Sequence, residues 1–460
     1  MPPLSNLAAR DVETLVHPYA NLVTLRESGP LVLERGKGVF VYDNEGRAYI
    51  EGMAGLWCAA LGYGNEELVE AAAAQMRKLS FAHLFTGMSH DPAIELAERI
   101  QELAPVPTSK VFFCSSGSEA NDTQIKLVWY MNNALGQPEK KKIISRMRAY
   151  HGVTIAAASL TGLVNNHRDF DLPIARILHT GCPHHYRYAQ EGESEAEFAA
   201  RLARELEQLI LKEGPETVAA FIAEPVMGAG GVIVPPKTYF PQIAEVCRKY
   251  DLYMISDEVI CGFGRLGAPF GCKALGYEPD SISIAKALTS GYAPLSAVTV
   301  PQAMYDALLD DSRKIGVFAH GFTYSGHPVS AAVALKALEI YGRDRIVEQA
   351  ARKTPQFQAR LAALADHPLV GEARGMGLVG AVELVADKAS KRSFDAKAGV
   401  AAQTVRFAQQ EGLILRFLAG DVISICPPLI IAPDEIDELF ARLMRALDRT
   451  LSWVCAERLK

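Results

Sequence analysis

Between residues 110 and 300 the chain repeats one pattern: a short, almost continuously apolar run, then a longer stretch with helical periodicity. The apolar runs fall near 110–114, 141–146, 175–180, 218–223, 252–256, 281–285 and 295–300. Amphipathic stretches such as 118–135, 194–213 and 238–250 lie between some of them. A strand that is apolar on both faces must be covered on both faces. The pattern therefore predicts an α/β fold with a seven-stranded, mainly parallel sheet sandwiched by helices. In an open sheet of this kind ligands bind at the carboxyl ends of the strands. Two predicted strands bring ionisable groups to that edge. L-Y-M-I-S ends at Asp257-Glu258-Val259, and S-I-S-I-A delivers Lys286. An amine in apolar surroundings has its charged form disfavoured and becomes a usable nucleophile.

The flanks read differently. Residues 1–35 hold a short helical stretch and a loop, and 38–52 a hairpin. The segment Met53 to Tyr63 is small and aromatic and contains Leu56-Trp57. Helices are predicted at about 66–79 and 92–104, the second with Asp91 as its N-cap and Pro92 in its first turn. After residue 330 come helices at about 328–341, 345–365 and 398–411 and the run G-L-V-G-A-V-E-L-V. A single strand L-I-L-R-F-L, then D-V-I-S-I-C-P-P, precede a last helix from Pro433-Asp434. This gives a large domain over 60–327 and a small α+β domain built from both ends of the chain, 1–59 and 328–460.

Composition removes several function classes. With 49% hydrophobic and 22% charged residues and a net charge of -6, the chain is an ordinary globular protein without the basic stripe of a nucleic-acid binder. The longest basic run, Lys140-Lys141-Lys142, reads as a solvated strand entry. No segment has the length of a membrane-spanning helix, and the N-terminus lacks the basic start and apolar core of a secretory signal. The eight cysteines form no C-x-x-C pair, as in reduced cytoplasmic proteins. His179-x-x-Cys182-x-His184-His185 lacks a second half at zinc spacing, so no metal is expected.

Six stretches could carry chemistry. Ser115 to Ala120, S-S-G-S-E-A, follows the strand V-F-F-C and opens a helix; Ser116 and Glu119 have capping-box spacing. A helix N-terminus with Gly117 and Ser118 suits a phosphate, although alone it is an ordinary cap. Tyr150-His151-Gly152 could offer a ring face to a flat ligand, or pack on the sheet. Ala223-Glu224-Pro225 with Gly228 to Gly231 adds an acid at the same edge, or simply ends a strand. Gly262 to Gly267 fits G-x-G-x-x-G, but Ala268-Pro269-Phe270-Gly271 is a poor helix start, so a dinucleotide site is not expected. His320 to Pro328 is a hydroxyl-rich, glycine-punctuated loop. Arg416, inside an apolar strand, needs an anion: either a ligand carboxylate or a structural ion pair.

Together these stretches resemble the class III aminotransferases, pyridoxal-phosphate enzymes of fold type I, and within them the amine–pyruvate (ω-) transaminases. The resemblance rests on S-G-S-E-A-N-D (116–122), A-Y-H-G (149–152), A-E-P-V-M-G-A-G-G (223–231), S-D-E-V-I-C-G-F-G-R (256–265), A-K-A-L-T-S-G (285–291) and H-G-F-T-Y-S-G-H-P (320–328), in that order. It implies that Lys286 is the Schiff-base lysine and Asp257 the partner of the cofactor's pyridinium nitrogen. Val259 and Tyr150 would enclose the ring. Ser116, Gly117 and Ser118 would hold the phosphate, joined by Thr323 of the partner subunit. Glu224 would support the cofactor and Arg416. Tyr19, Leu56, Trp57, Phe85 (from the partner chain), Tyr150 and Val153 would line the substrate pockets, and Arg416 would bind an acceptor's carboxylate. It also implies a cytoplasmic homodimer with shared sites, or a tetramer, acting on an amine donor and pyruvate, with neither nucleic acid nor membrane as partner. Ala287, Leu266 and Ser296 depart from residues common in the family. None of these removes a group that the chemistry needs. A 2-oxoglutarate-dependent ω-amino acid aminotransferase is the alternative within the family. A nicotinamide dehydrogenase would rest on the glycine motif alone. A non-catalytic regulator module would need an added basic domain or a lost Lys286.

Overall fold

The structure, a computed structural model, describes residues 4–459. Residues 1–3 and 460, the ends of the small domain as read from sequence, lie outside it. The large sheet has the strand order Lys110–Cys114, Ser296–Val300, Ser281–Ile284, Tyr253–Asp257, Val218–Ala223, Lys142–Arg146, Ile177–Thr180. Only Ser296–Val300 runs against its neighbours; the other pairs are parallel. Each strand lies within two residues of its predicted place.

Why the strands read as continuously apolar is visible in the packing. Alternate residues feed two separate cores. Phe113, Ile144, Phe221, Met254 and Ala297 point to one face, where helices Glu195–Glu213 and Tyr239–Lys249 bring Phe198, Leu206 and Ile243. Cys114, Ile143, Ala220, Ile255 and Val298 point to the other, where helix Gly117–Ala134 brings Ile125, Leu127 and Val128. Burying both faces leaves the strand ends as the place where polar side chains can gather.

Two smaller sheets flank this layer. Leu33–Lys37, Phe40–Asp43 and Ala48–Glu51 form a meander whose fourth strand is Leu413–Ile414, paired in parallel with Ala48–Glu51. The other sheet orders Val370–Met376, Val379–Leu384, Val422–Ile425 and Arg416–Leu418. The run L-I-L-R-F-L is therefore not one strand. It breaks at Leu415 because its two halves serve different sheets: Ile414 faces Glu51, and Arg416 faces Ser424.

Three further readings are corrected. The N-cap of helix Asp91–Leu103 is His90, whose Nδ1 accepts from Ala93 N at 3.3 Å; Asp91 is the first helical residue, beside the positive helix end. Ser116 Oγ accepts from Glu119 N at 3.2 Å, but Glu119 reaches back to Ser115 N at 2.7 Å rather than to Ser116, so the box is offset by one residue. Lys140 and Lys141 are not solvated: both are buried, Lys140 on Asp251 and Lys141 on the carbonyl of Trp129. Long aliphatic stems let lysines bury in this way while the ammonium finds a partner. No described helix is long and apolar enough to cross a membrane.

Candidate active site

The carboxyl ends of Val218–Ala223, Tyr253–Asp257 and Ser281–Ile284 converge on a cavity of about 380 Å³. Its wall includes Ser116, Gly117, Ser118, Tyr150, Glu224, Asp257, Val259, Lys286 and Leu56. Nine residues named from sequence thus meet in one place.

Lys286 begins a short 3-10 turn after its strand, with a left-handed φ of 49°. Its side chain is half-buried and lines the cavity. Burial lowers the amine's affinity for a proton, and the nearby charge of Asp257 opposes that shift. Asp257 is held from three sides. Asn121 Nδ2 donates to Oδ2 at 2.7 Å, His151 Nδ1 lies 2.8 Å from the same oxygen, and Val259 N donates to Oδ1 at 3.1 Å. Asn121 Nδ2 also donates to the carbonyl of His151 at 2.7 Å, so one amide fixes both the acid and its neighbour.

Glu224 uses its two oxygens on backbone: Oε1 accepts from Tyr150 N and Oε2 from Gly228 N, both at 2.9 Å. Burial raises its pKa. At the far end of the cavity Ser116 caps helix Gly117–Ala134, and Ser118 Oγ accepts from Val153 N at 3.1 Å. A Cβ at Gly117 would crowd Val259 Cγ1 at 3.1 Å, so glycine keeps the helix start close to Val259. The result is a helix N-terminus opened toward the cavity floor.

Arg416 stands at the mouth. Its guanidinium carbon lies 5.3 Å from the Trp57 ring centre and 5.8 Å from that of Tyr19, and Tyr19 is edge-on to Tyr150 at 6.5 Å. Among the described residues Arg416 has no ion pair with a carboxylate, which answers the choice left open by its sequence. Among the described residues Glu224, whose carboxylate takes Tyr150 N and Gly228 N, forms no direct ion pair with Arg416. Val153 is exposed beside Ser118. Phe85 and Thr323 are not brought to the Lys286 cavity of their own chain. They occupy neighbouring exposed loops: a Cβ on Gly321 would meet the Phe85 ring at 3.1 Å.

The glycine motif 262–267 opens no helix. It is a loop closed by buried Glu258, which accepts from Gly271 N and Cys272 N at 2.7 Å. His179, His184 and His185 take separate partners, namely the carbonyl of Leu160, Glu372 and the carbonyl of Glu193.

A family model described as aminotransferase class-III matches residues 24–447. The chain belongs to the class-III aminotransferases. It is 51% identical over 422 residues to gamma aminobutyrate transaminase 1, mitochondrial, of Solanum lycopersicum, covering 92% of this chain and 82% of that protein. It is 50% identical over 422 residues to a probable gamma-aminobutyrate transaminase 3, mitochondrial, of Oryza sativa subsp. japonica, with the same coverage of 92% and 82%. The omega transaminase of Pseudomonas jessenii, solved in complex with PMP, has a TM-score of 0.96 at 54% identity over 98% of this chain and 99% of that one. A thermostable omega transaminase variant engineered for asymmetric synthesis of enantiopure bulky amines has a TM-score of 0.96 at 53% identity over 98% of this chain and 100% of that one.

The fold is thus that of a fold type I aminotransferase, and the cofactor is pyridoxal phosphate. The residues present fit that group. The cavity offers free helix N–H groups at one end for a phosphate, a buried carboxylate for a ring nitrogen, and an amine of lowered basicity for an aldehyde. The roles of His151 and Asn121, the holders of Asp257, are not legible in the sequence: both sit inside its motifs, but the contacts that give them a role cross 106 and 136 residues.

Proposed function

We propose that this aminotransferase moves an amino group from a primary amine, ω-amino acids included, to pyruvate, giving a ketone or aldehyde and alanine. The observation that carries this reading is Arg416: half-buried, without an acidic partner, and lying over Trp57 and Tyr19 at the cavity mouth. A guanidinium matches a carboxylate bidentately, and a short keto acid would bring its carboxylate to Arg416 beside Leu56 and Trp57. When an uncharged arm takes that space, the guanidinium has two aromatic faces to lie on.

Pyridoxal phosphate, when bound, supplies the electron sink that stabilises the carbon losing its proton. The chain's residues do the rest. Lys286 Nζ holds the resting cofactor, and once freed it carries a proton away from the donor's amine-bearing carbon. Asp257 keeps a proton on the ring nitrogen, and His151 and Asn121 keep Asp257 aimed there. Tyr150 and Val259 enclose the ring; Ser116, Gly117 and Ser118 bind the phosphate; Glu224 shapes the loop that presents Tyr150. Tyr19, Leu56, Trp57 and Val153 line the donor pocket. Phe85 and Thr323, away from their own cavity, complete the partner's cavity in a homodimer. The same pairing of ends, 33–51 with 413–414, supports a small domain formed by both termini. Eight free cysteines support a reducing, cytoplasmic setting.

The gamma-aminobutyrate transaminase relatives favour an ω-amino acid among the donors, and a 2-oxoglutarate-dependent enzyme of that type is the competing reading. A donor panel with each acceptor separates them, scored by the loss and return of the yellow holoenzyme colour. The proposal expects colour to return with pyruvate. Return with 2-oxoglutarate alone overturns it.

A further inference from the structure

The strand Ala48–Glu51 ends on a buried carboxylate that the chemistry above does not use. Glu51 is 3% exposed. Its hydrogen bonds come from the segment that follows it. Met53 N donates to Oε1 at 3.2 Å, and Gly55 N and Tyr63 Oη, the latter at 3.2 Å, donate to Oε2. That segment is strained. Ala54 and Trp57 have left-handed φ values of 47° and 58°, and Gly55 between them 68°. Non-glycine residues hold such angles only where the surroundings impose them. The strained turn is also what places Leu56 on the cavity wall and Trp57 beneath Arg416.

The same carboxylate sits at the root of the other side of the pocket. Glu51 pairs with Ile414, and Gly52 N donates to Ile414 O at 3.0 Å, two residues before Arg416. A Cβ on Gly52 would meet Ile414 O at 2.9 Å, so the two segments approach as closely as backbone allows.

We infer that Glu51, in its ionised form, is a positioning residue that fixes the Leu56–Trp57 turn and thereby sets the preference for amines with a bulky apolar arm. This rests on the donor pocket proposed above. A carboxylate can accept from all three donors at once. A protonated carboxyl turns one oxygen into a donor facing other donors, and the turn loses its fixture.

The charged and titratable groups around Glu51 are Arg265, Tyr63, Cys58 and Cys426. Burial raises its pKa to about 7, against the pull of its hydrogen bonds and of Arg265. Burial pushes the Cys426 thiol up to about 12 and the Tyr63 hydroxyl above its ordinary range. Cys58 lies beside Tyr63. Above about pH 7 the turn is set; below it, the turn loosens.

The test uses the holoenzyme with pyruvate as acceptor. It follows the ratio of kcat/KM for 1-phenylethylamine to that for isopropylamine from about pH 6 to about pH 8.5; titrations common to both amines cancel in the ratio. In the wild type the ratio should rise roughly tenfold through an inflection near 7, and in Glu51→Gln it should stay low and flat. Tyr63→Phe, which removes one donor, should move the inflection to higher pH. Hydrogen exchange at Met53 and Gly55, corrected for its intrinsic rate, should slow above the same inflection even if Glu51→Gln does not fold. A flat wild-type ratio with featureless exchange overturns the role of Glu51, as does a pH-dependent ratio in Glu51→Gln. Trp57→Gly keeps the two readings apart. If it shifts the ratio while Glu51→Gln leaves the wild-type profile intact, only the Glu51 inference fails. If it leaves the ratio unchanged, the donor pocket fails and this inference with it.

Discussion

His151 Nδ1 lies 2.8 Å from Asp257 Oδ2, an oxygen that Asn121 already fixes at 2.7 Å. With Nδ1 protonated, the imidazole donates to the carboxylate and holds its plane. Asp257 is 4% exposed, so no water replaces a lost partner without repacking. Asp257→Asn should lower turnover by at least about 10³, equivalent to losing roughly 4 kcal/mol of transition-state stabilisation. His151→Ala, which leaves the carboxylate but frees its orientation, should lower it by about 10- to 100-fold. Single-turnover kinetics with an amine donor measures both. Equal losses in the two variants would contradict a positioning role for His151.

Much of this site was legible because its parts recur at one kind of place. Asp257, Glu224 and Lys286 all follow short apolar runs, and parallel strands bring their ends to one edge. The contacts between them were not legible. Nothing local to His151 says that it meets Asp257, since a loop residue and a strand end 106 residues apart are joined only by the fold. The strand carrying Arg416 shows the other limit. L-I-L-R-F-L has the composition of one strand, and only the competing demands of two sheets break it at Leu415. Likewise, Lys140 and Lys141 looked solvated because charge says nothing about where an aliphatic stem lies.

Arg416 and Trp57 should separate the two halves of the reaction. Arg416→Leu removes a charge-assisted pair and should raise the KM for pyruvate by about 100-fold, with a far smaller effect on an uncharged amine donor. Trp57→Gly should weaken the preference for a bulky apolar arm, lowering kcat/KM for such donors relative to small ones, with little effect on pyruvate. Half-reaction kinetics with each substrate alone measures the split. A loss of the same size in both halves would contradict the assignment of Arg416 to the acceptor.

Glu51 also makes a prediction for stability. Its pKa is raised from the ordinary 4.5 to about 7, so the folded protein keeps a proton that the unfolded chain has released. Stability relative to a chain without this group therefore falls as pH rises from about 4.5 to about 7 and is level above. The gap between wild type and Glu51→Gln should shrink across that window by on the order of 3 kcal/mol. Urea midpoints of the holoenzymes at about pH 5 and about pH 8 measure it. A gap that widens toward high pH would contradict the burial of this carboxyl.

Phe85 and Thr323 lie on exposed loops away from their own cavity, so cofactor retention should depend on assembly. Thr323→Ala should weaken cofactor binding by about tenfold, the loss of one hydrogen bond to a phosphate. Dilution should release cofactor and dissociate the dimer over the same concentration range, as read by absorbance and sedimentation. Full retention in a monomer would contradict shared sites.

The most direct test of the whole account is to reduce the holoenzyme with borohydride, digest it, and find the peptide that carries the cofactor. The adduct should lie on Lys286, and Lys286→Ala should give no lysine adduct at all. A reducible adduct on another lysine, or yellow colour that persists as a lysine adduct in Lys286→Ala, would contradict it.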